Sequence, residues 1–210
     1  MDDTAQAEAY AGADFSAAHN HFIHLFKQHF PATVSGTVLD LGCGSADISI
    51  RFLQAFPACH LHGVDGAAAM LALGEQAIEQ AGFTSRARLL HAYLPRVELP
   101  QAHYPVIISN SLLHHLAQPR DLWHCIRRYA QRGTRIMVMD LLRPASRQAA
   151  QALVTQYADN EPALLRHDFY HSLLAAYTPR EVEAQWQDTG LPLQLETVSD
   201  RHMIIHGEME

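Results

Sequence analysis

The sequence predicts an α/β fold: one doubly wound sheet, parallel except for its last strand, with helices on both faces. Three observations predict it. Short apolar runs at 38–41, 60–64, 86–94, 104–109 and 135–141 alternate with longer segments whose apolar residues recur at helical spacing. One run ends in a glycine turn, Gly42, Cys43 and Gly44, that leads straight into a helix. The last two runs, 193–198 and 203–206, are joined only by Ser199, Asp200, Arg201 and His202, a link short enough to demand antiparallel pairing.

Each element has its own signal. Residues 17–30 read as a helix with Phe22, Ile23, Phe26 and Phe30 on one stripe. Val38, Leu39 and Leu41 around Asp40 make the first strand, and Ile48, Phe52, Leu53 and Phe56 mark the helix after the turn. The second strand, 60–64, ends at Asp65, and an Ala-rich helix over 67–81 closes at Gly82. A helix opened by Pro119 carries Leu122, Ile126 and Tyr129 on one face and stops at Gly133. The stretch between the fifth strand and the helix over 178–189 is too long for a simple connection and reads as a two-helix insertion, 145–158 and 163–176. Thr178, Pro179 and Glu181 supply a cap, a first-position Pro and an N-terminal acid.

The glycine turn is the chemical centre. Glycines let backbone approach a ligand, and a helix start offers unpaired N–H groups. A dinucleotide fingerprint wants a further Gly where this chain has Asp47, and that carboxylate would repel a pyrophosphate. Asp40 and Asp47 flank the turn and favour a ligand carrying positive charge. Asp65 follows the turn by about 20 residues, the spacing at which such folds set a carboxylate on ribose hydroxyls. A ribose and a cation without phosphate describe S-adenosylmethionine (SAM).

Three stretches in order carry a family resemblance: Asp40 to Gly44; Gly63, Val64 and Asp65 with Met70 and Leu71; and Ser109 through Leu116, which includes His114 and His115. They resemble the motifs of class I SAM-dependent methyltransferases. Ala46 stands where many members carry a third Gly, and the acid often found after the third strand is replaced by His91, Ala92, Tyr93 and Leu94. The resemblance implies a Rossmann-like seven-stranded sheet in a single domain over 1–210, with an N-terminal cap segment at 1–30 and a helical insertion at 144–177. It implies that SAM, and its product S-adenosylhomocysteine (SAH), contact Asp40, Gly42, Cys43, Gly44, Asp47, Asp65, Gly66, Met70, Ala92, Tyr93, Asn110 and Ser111. A backbone amide of Ala92 or Tyr93, or the Tyr93 ring, then takes over adenine recognition. His115 or His114 is the candidate general base. Tyr10, His19, Arg143, Tyr170 and Tyr177 are candidates to line an acceptor pocket, with Arg143 as an anion clamp.

Composition narrows the function. The 210 residues are 48% hydrophobic, enough for a sizeable core, and no apolar run reaches membrane-spanning length. The acidic start, Met1, Asp2 and Asp3, has no signal-peptide character, so the expected location is cytoplasmic. A formal charge of −7 argues against nucleic acid as the acceptor and for a small molecule. Cys43, Cys59 and Cys125 form neither a disulfide framework nor a zinc pattern, and are expected to be buried filler. No metal site is expected; His21 and His24 have helical ligand spacing but lack an accompanying acid or Cys. The competing functions are a non-catalytic SAM-binding protein, an RNA methyltransferase and a nicotinamide oxidoreductase. A homodimer is left open.

Overall fold

A computed structural model describes residues 15–30 and 33–210. Seven strands form one sheet in the order β3-β2-β1-β4-β5-β7-β6. In chain order the elements are α1 (Ser16–His29), β1 (Gly36–Leu41), α2 (Asp47–Ala55), β2 (Cys59–Asp65), α3 (Ala68–Gln80), β3 (Ala87–His91) and β4 (Val106–Asn110). They continue with α4 (Arg120–Tyr129), β5 (Arg135–Leu141), α5 (Arg147–Ala158), α6 (Ala163–Ala175), α7 (Pro179–Trp186), β6 (Gln194–Thr197) and β7 (His202–Glu208). A short 3₁₀ turn at Leu113–His115 follows β4. β1 pairs in parallel with both β2 and β4, and β7 runs antiparallel to β5 and β6. The predicted class and strand directions are therefore observed.

The alternation of side chains across the strands builds two cores. Leu39, Leu41 and Ile107 pack on one face with Trp123, Ile126 and Trp186 from α4 and α7. Val38, Val106, Ile108 and Met137 point the other way and pack against Phe22 and Phe26 of α1 and Phe52 of α2. Phe26 meets Phe52 edge-on at 4.9 Å between ring centroids, an orientation that suits the ring quadrupoles. A third, smaller cluster ties α5 and α6 to Leu141 through Ala150, Val154 and Leu173.

Three boundaries differ from expectation, each for a local reason. β3 stops at His91 rather than at 94. The Ala92 amide gives the last ladder bond, to the Asp65 carbonyl (3.1 Å), and Pro95, with no N–H, cannot extend a ladder further. β4 starts at Val106 because the Tyr104 amide bonds to the Tyr129 carbonyl (3.0 Å) and Pro105 follows. β7 is longer than 203–206 because its register with β5 continues to Arg135 opposite Glu208.

β1 and β4 are neighbours whose following segments leave in opposite directions along the sheet, so a crevice opens beyond their carboxyl ends. The glycine turn, the end of β2 and the loop after β4 all meet there. Among the described residues, no helix is long and apolar enough to cross a membrane.

Candidate active site

The turn after β1 is shaped by backbone conformations that ordinary residues avoid. Gly42 sits at φ +76° and Gly44 at +53°, and a Cβ on Gly42 would stand 2.8 Å from Leu112. Ala46 also adopts the left-handed region, φ +67°, with its methyl fully buried. The position where the family resemblance leads one to expect a third Gly thus keeps a glycine conformation while holding an alanine. Asp65, from the end of β2, clasps the turn: its carboxylate accepts from the Gly44 amide (2.9 Å) and the Ala67 amide (2.8 Å). A carboxylate offers about four lone-pair directions, so two remain for a ligand.

The cleft this turn floors has a volume of about 370 Å³, within the range of small-molecule sites. Asp40, Gly42, Cys43, Gly44 and Asp47 line one wall, Asp65, Gly66 and Met70 another, Ala92 and Tyr93 a third, and Asn110, Ser111 and His115 the mouth. All twelve residues expected around a cofactor therefore border one cavity, together with Ile48, Leu94, Leu112 and Leu116, which motif reading missed. Plain apolar residues in a loop carry no signal that separates a cleft wall from core.

The acids of the cleft differ sharply. Asp40 is 1% exposed, and burial pushes its pKa up to about 7 even though Ser49 Oγ donates to it at 2.6 Å; the nearby Asp65 adds to the rise. Asp47 goes the other way. Burial alone would raise it, but hydrogen bonds from the His19 ring and from Arg51 Nε (2.8 Å) outweigh burial and bring it down to about 2. Two acids equivalent in the sequence are thus a proton-holding group and a fixed anion. Burial also pushes the Cys43 thiol well up, so it packs as a small apolar group; Cys59 and Cys125 are likewise buried.

The adjacent histidines separate in the same way. His114 is turned into the protein, where its Nδ1–H donates to Asp140 at 2.6 Å. Asp140 also accepts from the Leu113 amide (2.8 Å), so it pins the 3₁₀ turn at two points. His114 does not border the cleft: its place as a candidate base is corrected to a support beneath His115, which does. The His115 ring is open to the cleft. Desolvation by the surrounding walls and the neighbouring His114 pull its pKa down towards about 4, with Asp140 and Asp168 of α6 opposing. Water in the open cleft opposes the fall too, so its titration is expected between about 4 and the ordinary value of about 6.5.

Two further cleft features call for a ligand. The Asn110 Oδ1 is buried with no hydrogen-bond partner among the described residues. Ser111 beside it sits at φ +55°, a conformation that costs a non-Gly residue about 1–3 kcal/mol and recurs at functional sites.

The expected acceptor residues are dispersed. His19 borders the cleft, but its ring is bound to Asp47. Arg143 is not a cleft residue: its Nε donates to the Ala176 carbonyl (2.6 Å) and Nη1 to Glu181 (2.9 Å). Tyr177 pairs its backbone with Leu142 and lies beneath the Arg143 guanidinium, and Tyr170 packs against the α5–α6 cluster. These three residues hold the insertion on the sheet rather than lining the cavity, because α6 and the β5–α5 link turn their polar groups to each other. Tyr10 lies outside the described residues.

A family described as "Methyltransferase domain" matches residues 38–133, the span that contains the turn, Asp65 and the His pair. Over that span, just under half of its length, the chain is similar to methyltransferase domains. It is similar to an uncharacterized methyltransferase of Mycobacterium tuberculosis, 25% identical over 142 residues, which are 68% of this chain and 69% of the relative. In fold it is similar to a SAM-dependent methyltransferase from Aquifex aeolicus, with a TM-score of 0.72, 15% identity and 98% of each chain covered. It also resembles the plantazolicin methyltransferase BpumL, described in complex with a pentazolic desmethylPZN analog and SAH, with a TM-score of 0.73, 12% identity, and 99% of this chain and 90% of that one covered.

The cleft suits SAM. The glycine cradle leaves room where a Cβ on Gly44 would press to 3.1 Å of Met70 Cε. The orphaned Asn110 oxygen seeks a donor, and Asp40 and Asp65 present acids but no phosphate-binding cation. The Ala92 amide is already committed to the Asp65 carbonyl, which removes it from the adenine contacts expected of it and leaves Tyr93, 64% exposed at the rim.

Proposed function

We propose that this protein is a SAM-dependent methyltransferase that transfers the cofactor's methyl group to a small-molecule acceptor held at the mouth of the cleft, with His115 as general base or orienting group. The observation that carries the reading is the contrast between the two adjacent histidines: His114 is locked to Asp140, while His115 opens on the cavity. The sulfonium cofactor, when bound, supplies an already activated methyl group. The protein's work is therefore alignment, bringing reacting atoms to about 3–3.5 Å, and removal of a proton where the acceptor is an O–H or N–H.

The residues divide that work as follows. Asp65, oriented by the Gly44 and Ala67 amides, holds ribose hydroxyls. Asp40 and the fixed anion of Asp47 make the turn hospitable to the cationic methionyl end; positive charge nearby favours loss of the Asp40 proton. Asn110 and Ser111 take donors through the unpaired amide oxygen and the strained backbone. Gly42, Cys43, Gly44, Gly66 and Met70 shape the floor, and Tyr93 covers the adenine side. His115 stays neutral near pH 7 and can accept a proton there. The small-molecule reading is supported by the cavity volume, by the acidic charge balance and by the organic ligand of the plantazolicin methyltransferase.

The test is transfer of labelled methyl from SAM into a cell extract split into low-mass, protein and nucleic-acid fractions. Label in the low-mass fraction is expected. Label confined to protein or RNA would contradict the small-molecule acceptor while leaving methyl transfer intact.

A further inference from the structure

α1 touches the cleft at one end through His19, and at its other end meets a cluster that the methyl-transfer site does not use. Its last residue, His29, packs over β7, where the His29 and His206 ring centroids are 3.9 Å apart. The register of the antiparallel pair sets Glu196 opposite Ile204, two pairs along from His206 opposite Gln194 and so on the same face. Glu196 Oε1 thus lies 2.9 Å from His206 Nε2, and its Oε2 lies 3.8 Å from His29 Nε2. Ligand atoms of all three residues fall within 4.8 Å of one another. His29 Nε2 is buried and has no hydrogen-bond partner among the described residues.

We infer that His29, Glu196 and His206 form a binding site for a divalent transition-metal ion of the Zn²⁺ type. Two imidazoles and one carboxylate are a zinc donor set, with a fourth position left for water. Zinc bonds of about 2.0–2.2 Å set neighbouring donors roughly 3.4 Å apart in a tetrahedron. Glu196 to His29 (3.8 Å) is already close to that, and no pair is wider than 4.8 Å, so closure of at most about 1.4 Å brings the donors together. The ion gives the buried Nε2 its partner and replaces the Glu196–His206 hydrogen bond. The C-terminal end of α1, with its unpaired carbonyls, favours a cation. Arg135, on the same face of the sheet, is engaged with Glu208 (3.6 Å) and the Thr33 carbonyl (3.3 Å). Glu196, 47% exposed at its side chain, gives the ion a way in, while His29 and His206 are mostly covered (16% and 11%). The site lies away from the cleft: His206 is opposite Met137, in the middle of β5, whereas the cleft lies beyond the carboxyl ends of β1, β2 and β4. Occupancy would fasten α1 to β6 and β7.

The test is calorimetric titration of the untagged full chain with Zn²⁺ alone, with Co²⁺ absorption as a second readout. Wild type should bind saturably. Glu196→Gln and His206→Gln should lose at least the 10–100-fold in affinity that even an outer partner of a ligand is typically worth, and should lose the Co²⁺ bands. His24→Gln, an exposed histidine on the same helix, should match wild type. Because Glu196 is exposed, its variant reports even if His206→Gln folds poorly. Absence of saturable binding in wild type, or wild-type affinity in Glu196→Gln, would overturn the site. Neither result bears on methyl transfer.

Discussion

His115→Ala lowers turnover by roughly 10²-fold, the low end of the ~10²–10⁴ typical of a positioned acid or base, while SAH affinity stays at wild type. The low end is expected because a base whose pKa lies well below the working pH drives proton removal less than one near 7. The ring is open to the cleft, so its loss leaves the core untouched and the fold should survive. The pH dependence has a definite sign. Burial lowers the imidazole pKa, so the active neutral form is fully present at neutral pH and is lost only as pH falls through the lowered value. The acid limb of kcat in wild type should therefore lie below about 6.5, moving towards about 4 as ligands dry the cleft. The variant should lack that limb. A pH–rate profile measured where circular dichroism reports a folded chain checks it, and an identical acid limb in His115→Ala would remove His115 from proton transfer.

Asp65→Ala weakens SAH by about 1.5–3 kcal/mol, or about 10- to 150-fold, because charge-assisted hydrogen bonds are lost. The same carboxylate also accepts the Gly44 and Ala67 amides, so the variant loosens the turn as well as removing ligand contacts. Asp65→Asn separates the two effects. Its amide oxygen can keep one backbone donor, and a smaller loss of thermal stability with a similar loss of affinity marks direct contact. Calorimetry paired with thermal melting reads both. Unchanged SAH affinity in both variants would sink the ribose assignment.

How far the sequence reveals this site depends on how local each feature is. Gly42, Gly44 and Asp65 were legible because a turn and a strand-end acid are written in consecutive residues at a fixed spacing. His114 and His115 were not separable, since the residue that turns one inward, Asp140, lies on another strand. Asp40 and Asp47 looked alike until Ser49, His19 and Arg51 were placed around them. Its position after a strand end points Arg143 to the cavity, and the aromatic-rich insertion points Tyr177 there. The partners found, Ala176 and Glu181 for Arg143 and Leu142 and Arg143 for Tyr177, depend on how the insertion folds back, which no local pattern specifies. The His29, Glu196 and His206 cluster joins residues from a first helix and two last strands, so local spacing, which points to pairs such as His21 and His24 on one helix, cannot find it.

The central claim is that the crevice beyond β1, β2 and β4 is where the cofactor binds. Hydrogen exchange of the full chain with and without saturating SAH tests it most directly. Slower exchange is expected at the amides of 42–47, 65–70, 92–94 and 110–116, with little change at α5, β6 and β7. Protection at α5 or β6 without protection at the glycine turn would contradict it.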